Sequence, residues 1–144
     1  MAWETLGWRG DDGPVAFSAW SRMRLGWAEL EVPVQLEQEL RIDPVGTTGK
    51  VYQVPMPNGE FFLLEYRTRA GSFYDRNIPP EGLLIWHVGG TSSRSEVDLE
   101  CADGRFFDAG YPLGTQPAPE FGGDNLDFWS RDADYNQTFA GNLG

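Results

Sequence analysis

Histidine and cysteine each occur once in the 144 residues, as His87 and Cys101. A zinc hydrolase motif such as H-E-x-x-H sends two imidazoles from one helix face to one ion, so a single histidine excludes it from this chain. The two-histidine carboxylate triad of non-haem iron enzymes is excluded on the same count. A lone cysteine rules out an internal disulfide and leaves the redox compartment open. Basic residues are scarce: 11 Lys and Arg stand against 22 Asp and Glu, for a formal net charge of -11. That balance argues against nucleic acid and against an anionic membrane as partners, since both need basic patches, and it leaves metal cations and cationic partners open. No apolar run approaches the ~18 residues of a transmembrane helix. The opening "MAWETLGWRG" has no basic region followed by an apolar stretch and does not read as a signal peptide. A G-x-S-x-G elbow, a phosphate-binding G-x-x-x-x-G-K-[ST] loop and a dinucleotide fingerprint are all missing. Carboxylates are plentiful, but nothing singles out a glycosidase pair.

What is present is a globular composition, 40% hydrophobic and 14% aromatic, in a length that fits one domain or part of one. Residues 14–25, "PVAFSAWSRMRL", predict a helix with Phe17, Trp20 and Met23 as its core-facing stripe and Trp27 one turn beyond. Asp12 stands where a cap would, Pro14 suits a first turn, Arg22 and Arg24 sit in the last turn, and Gly26 is the expected stop. Then the period drops to two. Leu30, Val32, Val34 and Leu36 alternate with polar residues and Pro33, which predicts an edge strand or a bulge. "LRIDPV" predicts another short strand. "KVYQVPMP" and "EFFLLEYRTR" flank Asn58-Gly59, a strong hairpin signal because both residues tolerate positive φ. Residues 82–88 are apolar on both faces and predict a central strand. In "EVDLECA", Val97, Leu99 and Cys101 share one face, so Cys101 reads as a small buried hydrophobe. The expected architecture is therefore α+β and β-rich: one N-terminal helix docked on a largely antiparallel sheet or sandwich, followed by an irregular acidic loop.

By alternation His87 shares its strand face with Leu83 and Ile85. Its bland role is a buried, hydrogen-bonded structural residue, and its sharper one is direct function. Trp86, Trp20 and Trp27 read as structural with it. Beyond residue 103 the chain is rich in Gly, Pro, Asp and aromatics, with Phe106, Phe107, Phe121, Phe128 and Trp129 expected to pin it over the sheet. Within it Asp124, Asn125, Asp127, Asp132 and Asp134, with Asn136 beside them, supply the hard oxygens that calcium takes. The spacing is not that of an EF-hand, and a solvated acidic loop is the competing interpretation. "NQT" at 136–138 fits a glycosylation sequon.

Four stretches, "FSAWSRMRLGW" (17–27), "EFFLLEYR" (60–67), "GLLIWHV" (82–88) and "VDLECADG" (97–104), resemble in order and rough spacing the segments that follow the zinc-binding helix of secreted zinc metallopeptidases of the immune inhibitor A type. The resemblance covers roughly residues 14–136, and "FFDAGYPLG" and "GGDNLDFW" resemble the family's downstream region. It implies a secreted, zinc-dependent endopeptidase for the parent protein, acting on protein substrates. It also implies that the H-E-x-x-H helix lies upstream of this chain, with Met1 near the place of the family's methionine turn. The "GNLG" end reads as a cut. The implied division is 1–28 as the end of the catalytic domain with its docking helix, 29–104 as an antiparallel β region, and 105–144 as an irregular, truncated region. The implied partner is the upstream catalytic segment of the same protein, and the chain alone should be inert. One departure stands out: where the family has an acidic residue after Ile-Trp-His-Val, Gly89 and Gly90 follow here. The alternative from another class is a stand-alone β-sandwich module that binds carbohydrate or protein through exposed aromatics such as Trp3, Trp8 and Trp129.

Overall fold

A computed structural model describes residues 16–33, 39–76, 78, 81–89, 97–100, 102 and 128–130. Among these residues are two short helices, α1 (Ala19–Leu25) and α2 (Val45–Thr48). Five strands accompany them: β1 (Glu29–Glu31), β2 (Lys50–Pro55), β3 (Phe61–Arg67), β4 (Gly82–Val88) and β5 (Val97–Leu99). The strands form one sheet in chain order, β1-β2-β3-β4-β5. The β2–β3, β3–β4 and β4–β5 pairs are antiparallel. β1 runs parallel to β2, so the sheet is mixed. The fold is thus α+β and β-rich, as the periodicities predict.

Register divides the sheet into two faces. Leu63 pairs with Trp86 and Trp86 with Leu99, while Glu65 pairs with Leu84. These residues and Val88 face the core, where Val51, Val45, Ile78, Ala19 and Phe128 join them. The opposite face carries Phe62, Leu64, Tyr66, Leu83, Ile85 and His87, all only half-buried. β4 is interior, as its composition predicts, but just one of its faces is sealed.

Helix α1 differs from its expected form at its start. It begins at Ala19, and Ser18 caps it by accepting a hydrogen bond from the Ser21 N–H. Asp12 and Pro14 lie outside the described residues. Phe17 precedes the helix and is exposed, as is Trp27; their rings pack against each other at 5.7 Å. Trp20 and Met23 are the two members of the stripe that reach the core. Ala19 is fully buried at the end of the helix where Glu65 of β3 accepts from its backbone N–H. The C-terminus follows the sequence: Gly26 adopts φ 72 and its N–H donates to Met23 O.

Three further expectations are corrected. "LRIDPV" forms no strand; Pro44 makes an isolated bridge to Tyr66 and the chain turns at once into α2, since proline cannot donate to a ladder. Of the described residues in the 30–36 strand only Leu30 and Glu31 pair, as part of β1, and 34–38 lie outside the described residues. In the hairpin, Gly59 alone takes positive φ, at 86; Asn58 does not. The Gly59 N–H donates to Met56 O and the Met56 N–H to Glu60 O. The connection is therefore a turn followed by a left-handed glycine, longer than a two-residue Asn-Gly turn.

Phe128 fills the core, and Trp129 bridges to the start of β4 through reciprocal hydrogen bonds with Leu83. Gly82 makes this approach feasible: a Cβ there would lie 2.9 Å from Trp129 O. Phe106, Phe107, Phe121, Trp3, Trp8 and Cys101 lie outside the described residues.

Candidate functional site

Two clusters of chemistry-bearing side chains stand out, one on each face of the sheet. The first is buried. β3 reads Phe-Phe-Leu-Leu-Glu-Tyr-Arg, and a period of two that turns Leu63 inward turns Glu65 and Arg67 inward as well. Glu65, Arg67 and Asp75, the last from the β3–β4 loop, are essentially without solvent exposure. Glu65 Oε1 accepts from three donors: Trp86 Nε1 at 2.8 Å, Arg67 Nη2 at 3.1 Å and the Ala19 N–H at 3.2 Å. Arg67 donates to Ala16 O at 3.1 Å and to Phe17 O at 2.9 Å, and its Nη1 lies 3.5 Å from Asp75 Oδ1. The same Asp75 oxygen accepts from the Ala16 N–H at 3.2 Å. Four backbone groups of residues 16–19 are thus gripped by three charged side chains, and the planar guanidinium fork suits that task better than an ammonium. Glu65 Oε2, Arg67 Nε and Asp75 Oδ2 find no partner among the described residues. This cluster is sealed from solvent and serves to fix the entry to α1.

The second cluster is half-exposed and centres on His87, opposite Phe62 on β3 and Asp98 on β5. Burial on the central strand is the expectation for this histidine; instead about a quarter of its side-chain surface remains open, since no described residue covers the outer face as α1 and Phe128 cover the inner one. The hydrogen bond expected with backbone or a carboxylate is made with Glu60, and a second carboxylate, Glu100, stands farther off. Nε2 lies 2.9 Å from Glu60 Oε2, and Nδ1 lies 3.6 Å from Glu100 Oε1. The Phe62 ring lies against the imidazole at 5.0 Å. Asn58 and then His87 hold the Glu60 carboxyl below the usual carboxylate range, whereas burial pushes that of Glu100 up. Gly89 makes room for Glu60: with φ at 113, a Cβ there would meet Glu60 Cγ at 2.7 Å. Gly89→Ala combines that collision with a backbone conformation disfavoured for alanine, so it should destabilise the chain by about 1–3 kcal/mol. The measurement is a chemical denaturation curve, and an unchanged midpoint would contradict the close approach.

The chemistry available at His87 is limited by geometry. Glu60 and Glu100 address opposite ring nitrogens, so one cation cannot engage all three groups at once. Among the described residues no group of three or more His, Cys, Asp or Glu side chains is placed to hold a metal ion. Asp124, Asn125, Asp127, Asp132 and Asp134, the calcium candidates, lie outside the described residues. Trp86 sits in the core with its indole N–H satisfied, in keeping with its structural role; Trp20 is half-buried and Trp27 exposed.

No known relative emerges. No family model matches the chain, and no curated protein and no solved structure matches it either. The functional weight therefore rests on the residues themselves. Sequence reasoning singled out His87 but missed Glu60, Glu65, Arg67, Asp75 and Glu100. Glu65 and Arg67 carried a signal, since two charges share the inward phase with Leu63. Asp75 carried none, because its burial follows from a loop path and not from a period.

Proposed function

We propose that this chain is a supporting portion of a secreted zinc metalloendopeptidase of the immune inhibitor A type. It would flank and brace the active-site domain and be inactive by itself. One observation carries the reading. Three of the four stretches that bear the resemblance meet in a single buried cluster: Ala19 and Phe17 from "FSAWSRMRLGW", Glu65 and Arg67 from "EFFLLEYR", and Trp86 from "GLLIWHV". A cluster of charges that costs desolvation is best understood as a fixed joint between the sheet and whatever precedes α1. The Gly89 departure also acquires a rationale, since Glu60 reaches over that glycine and supplies a carboxylate beside the strand end from another element. Zinc would belong to the upstream segment, and no step of hydrolysis is assigned to residues of this chain.

The test is proteolysis. The purified 144-residue chain with added zinc should leave casein intact, because metal-assisted hydrolysis needs about three protein ligands and a carboxylate base. Joined to the segment its reading frame encodes upstream, with an H-E-x-x-H helix, it should cleave. Zinc-dependent turnover by the 144 residues alone, abolished by His87→Ala, would sink the proposal. So would a reading frame that carries a secretion signal directly before Met1 and no H-E-x-x-H. That second result would favour a binding module presenting Trp129, whose side chain is exposed.

A further inference from the structure

We propose that Asn58-Gly59, in the turn between β2 and β3, is a self-modification site: the Gly59 backbone nitrogen attacks the Asn58 side-chain amide, ammonia leaves, and the product unseats Glu60 beside His87. Of the five asparagines in the chain only Asn58 precedes glycine; Asn77, Asn125, Asn136 and Asn142 precede Ile, Leu, Gln and Leu. Glycine matters because it has no side chain to screen its nitrogen from the carbon it must reach. The approach is open here. Asn58 and Gly59 are both exposed, and a Cβ built on Gly59 would meet nothing within 4 Å, so the turn has room for a ring to close.

The turn also prepares the carbonyl under attack. When the Gly59 nitrogen adds to Asn58 Cγ, negative charge gathers on Oδ1. That oxygen already accepts from the Glu60 N–H at 3.1 Å, a donor aimed at the atom where the charge develops. One contact opposes the step: the Gly59 N–H donates to Met56 O at 3.2 Å and must give that bond up. The bond lies in an exposed turn, where local opening costs far less than global unfolding. The nitrogen–Cγ bond then forms, the Cγ–Nδ2 bond breaks, and Nδ2 departs as ammonia with the hydrogen of the Gly59 nitrogen. A five-membered cyclic imide remains, and water opens it on either side. Cleavage at Cγ leaves aspartate. Cleavage at the backbone carbonyl of Asn58 leaves isoaspartate, with the main chain rerouted through the side chain and one carbon longer.

Either product alters what holds Glu60. The Asn58 amide is the first cause that keeps the Glu60 carboxyl below its usual range, since an N–H donor favours the ionised form. The new carboxylate has no hydrogen to give and sets a second negative charge beside the first. Isoaspartate also inserts a carbon between Met56 and Glu60, whose backbone N–H and carbonyl now bond at 2.8 Å. Glu60 is the nearer carboxylate on His87, 2.9 Å from Nε2, so a change in the turn reaches the half-exposed cluster on the outer face of the sheet.

Storage of the 144-residue chain at mildly alkaline pH, followed by peptide mapping with mass spectrometry, tests the idea. A synthetic peptide of residues 54–62, which lacks the fold, runs beside it. The fragment holding Asn58 should gain the mass of a hydroxyl exchanged for an amine and split into two chromatographic forms. Fragments holding the other four asparagines should keep their mass. Asp12-Gly13 and Asp103-Gly104 can form the same imide, but their isomerisation leaves the mass unchanged. In NMR spectra, second signals for the Glu60 amide and the His87 ring should grow in step with the modified fraction. The amides of Glu65 and Leu84, paired farther along the β3–β4 ladder, should stay single. Asn58→Gln, whose longer side chain would need a six-membered ring, should stop both changes. An Asn58 that keeps its amide while the peptide loses it overturns the proposal, as does a modified turn that leaves the Glu60 and His87 signals unmoved.

Discussion

Arg67→Met should lower the stability of the chain by about 3–5 kcal/mol, the usual cost of removing one partner from a buried ion pair. Against a total near ~5–15 kcal/mol for a domain, that leaves a marginal fold or none, and Tm should drop on the order of 10 °C or more. The side chain is essentially unexposed and donates to Ala16 O, Phe17 O and Glu65 Oε1. Methionine fills the volume but leaves Glu65 and Asp75 without their cation and two carbonyls without donors. Buried ion pairs elsewhere are often replaced by apolar groups at no loss. That escape is closed here, because the charges also satisfy backbone: even a fully apolar set would strand the N–H groups of Ala16 and Ala19. Arg67→Lys should rescue little, since a single ammonium cannot serve carbonyls and carboxylate in the fork geometry. Thermal melts of the three proteins decide it; overlapping melts for wild type and Arg67→Met would show that the cluster is not needed to hold α1.

Phe128→Ala should cost about 3–5 kcal/mol, as large-to-small changes at sealed aromatic sites do. Phe128 has no solvent exposure and belongs to the same core as Leu84, Trp86 and Leu99. Its neighbours are pinned on both sides: Trp129 pairs with Leu83, and Ser130 Oγ donates to Glu81 O at 2.7 Å. The surroundings therefore cannot collapse to fill the space. The change is made far along the chain from the five strands, so the size of the effect measures whether residues 128–130 are integral to the domain or appended to it. Urea denaturation is the readout, and a loss below ~1 kcal/mol would put Phe128 outside the cooperative unit.

The sheet was largely legible and the site was half legible, for reasons that differ residue by residue. β3 and β4 could be read because a period of two is a purely local signal. Gly26 and Gly59 could be read because positive φ is demanded locally, although Asn58 turned out not to share it. Ser18 was missed as the cap in favour of Asp12, since Phe17 completes the apolar stripe on paper; the actual start is set by Glu65 and Arg67, 46 and 50 residues away, which no local pattern reports. "LRIDPV" looks like a strand by composition, and Pro44 overrules it. For His87, alternation placed it correctly with Leu83 and Ile85, but alternation cannot say which face is sealed. The two carboxylates that define its surroundings come from the turn before β3 and from beyond β5, so they became visible only once the register was known. The parallel pairing of β1 was likewise beyond reach, because nothing in "ELEVPV" fixes a strand's direction.

The chain-order sheet bears on how the molecule assembles. Strands that are neighbours in space are neighbours along the chain, so most pairing closes short loops at small entropic cost. The meander from β2 to β4 can therefore form by successive local steps, beginning at Gly59. Three events are exceptions, one of them the arrival of residues 128–130 at Leu83. β1 must wait for residues 32–49 to fold back before it can lie parallel to Lys50–Tyr52. The α1 end must travel from the far side of the sequence to bring Ala16 and Phe17 to Arg67. Until it arrives, Glu65, Arg67 and Asp75 remain hydrated on an open sheet face. The step that brings α1 in is then the one that strips water from three charges, and its barrier follows from the same contacts that fix the helix in place.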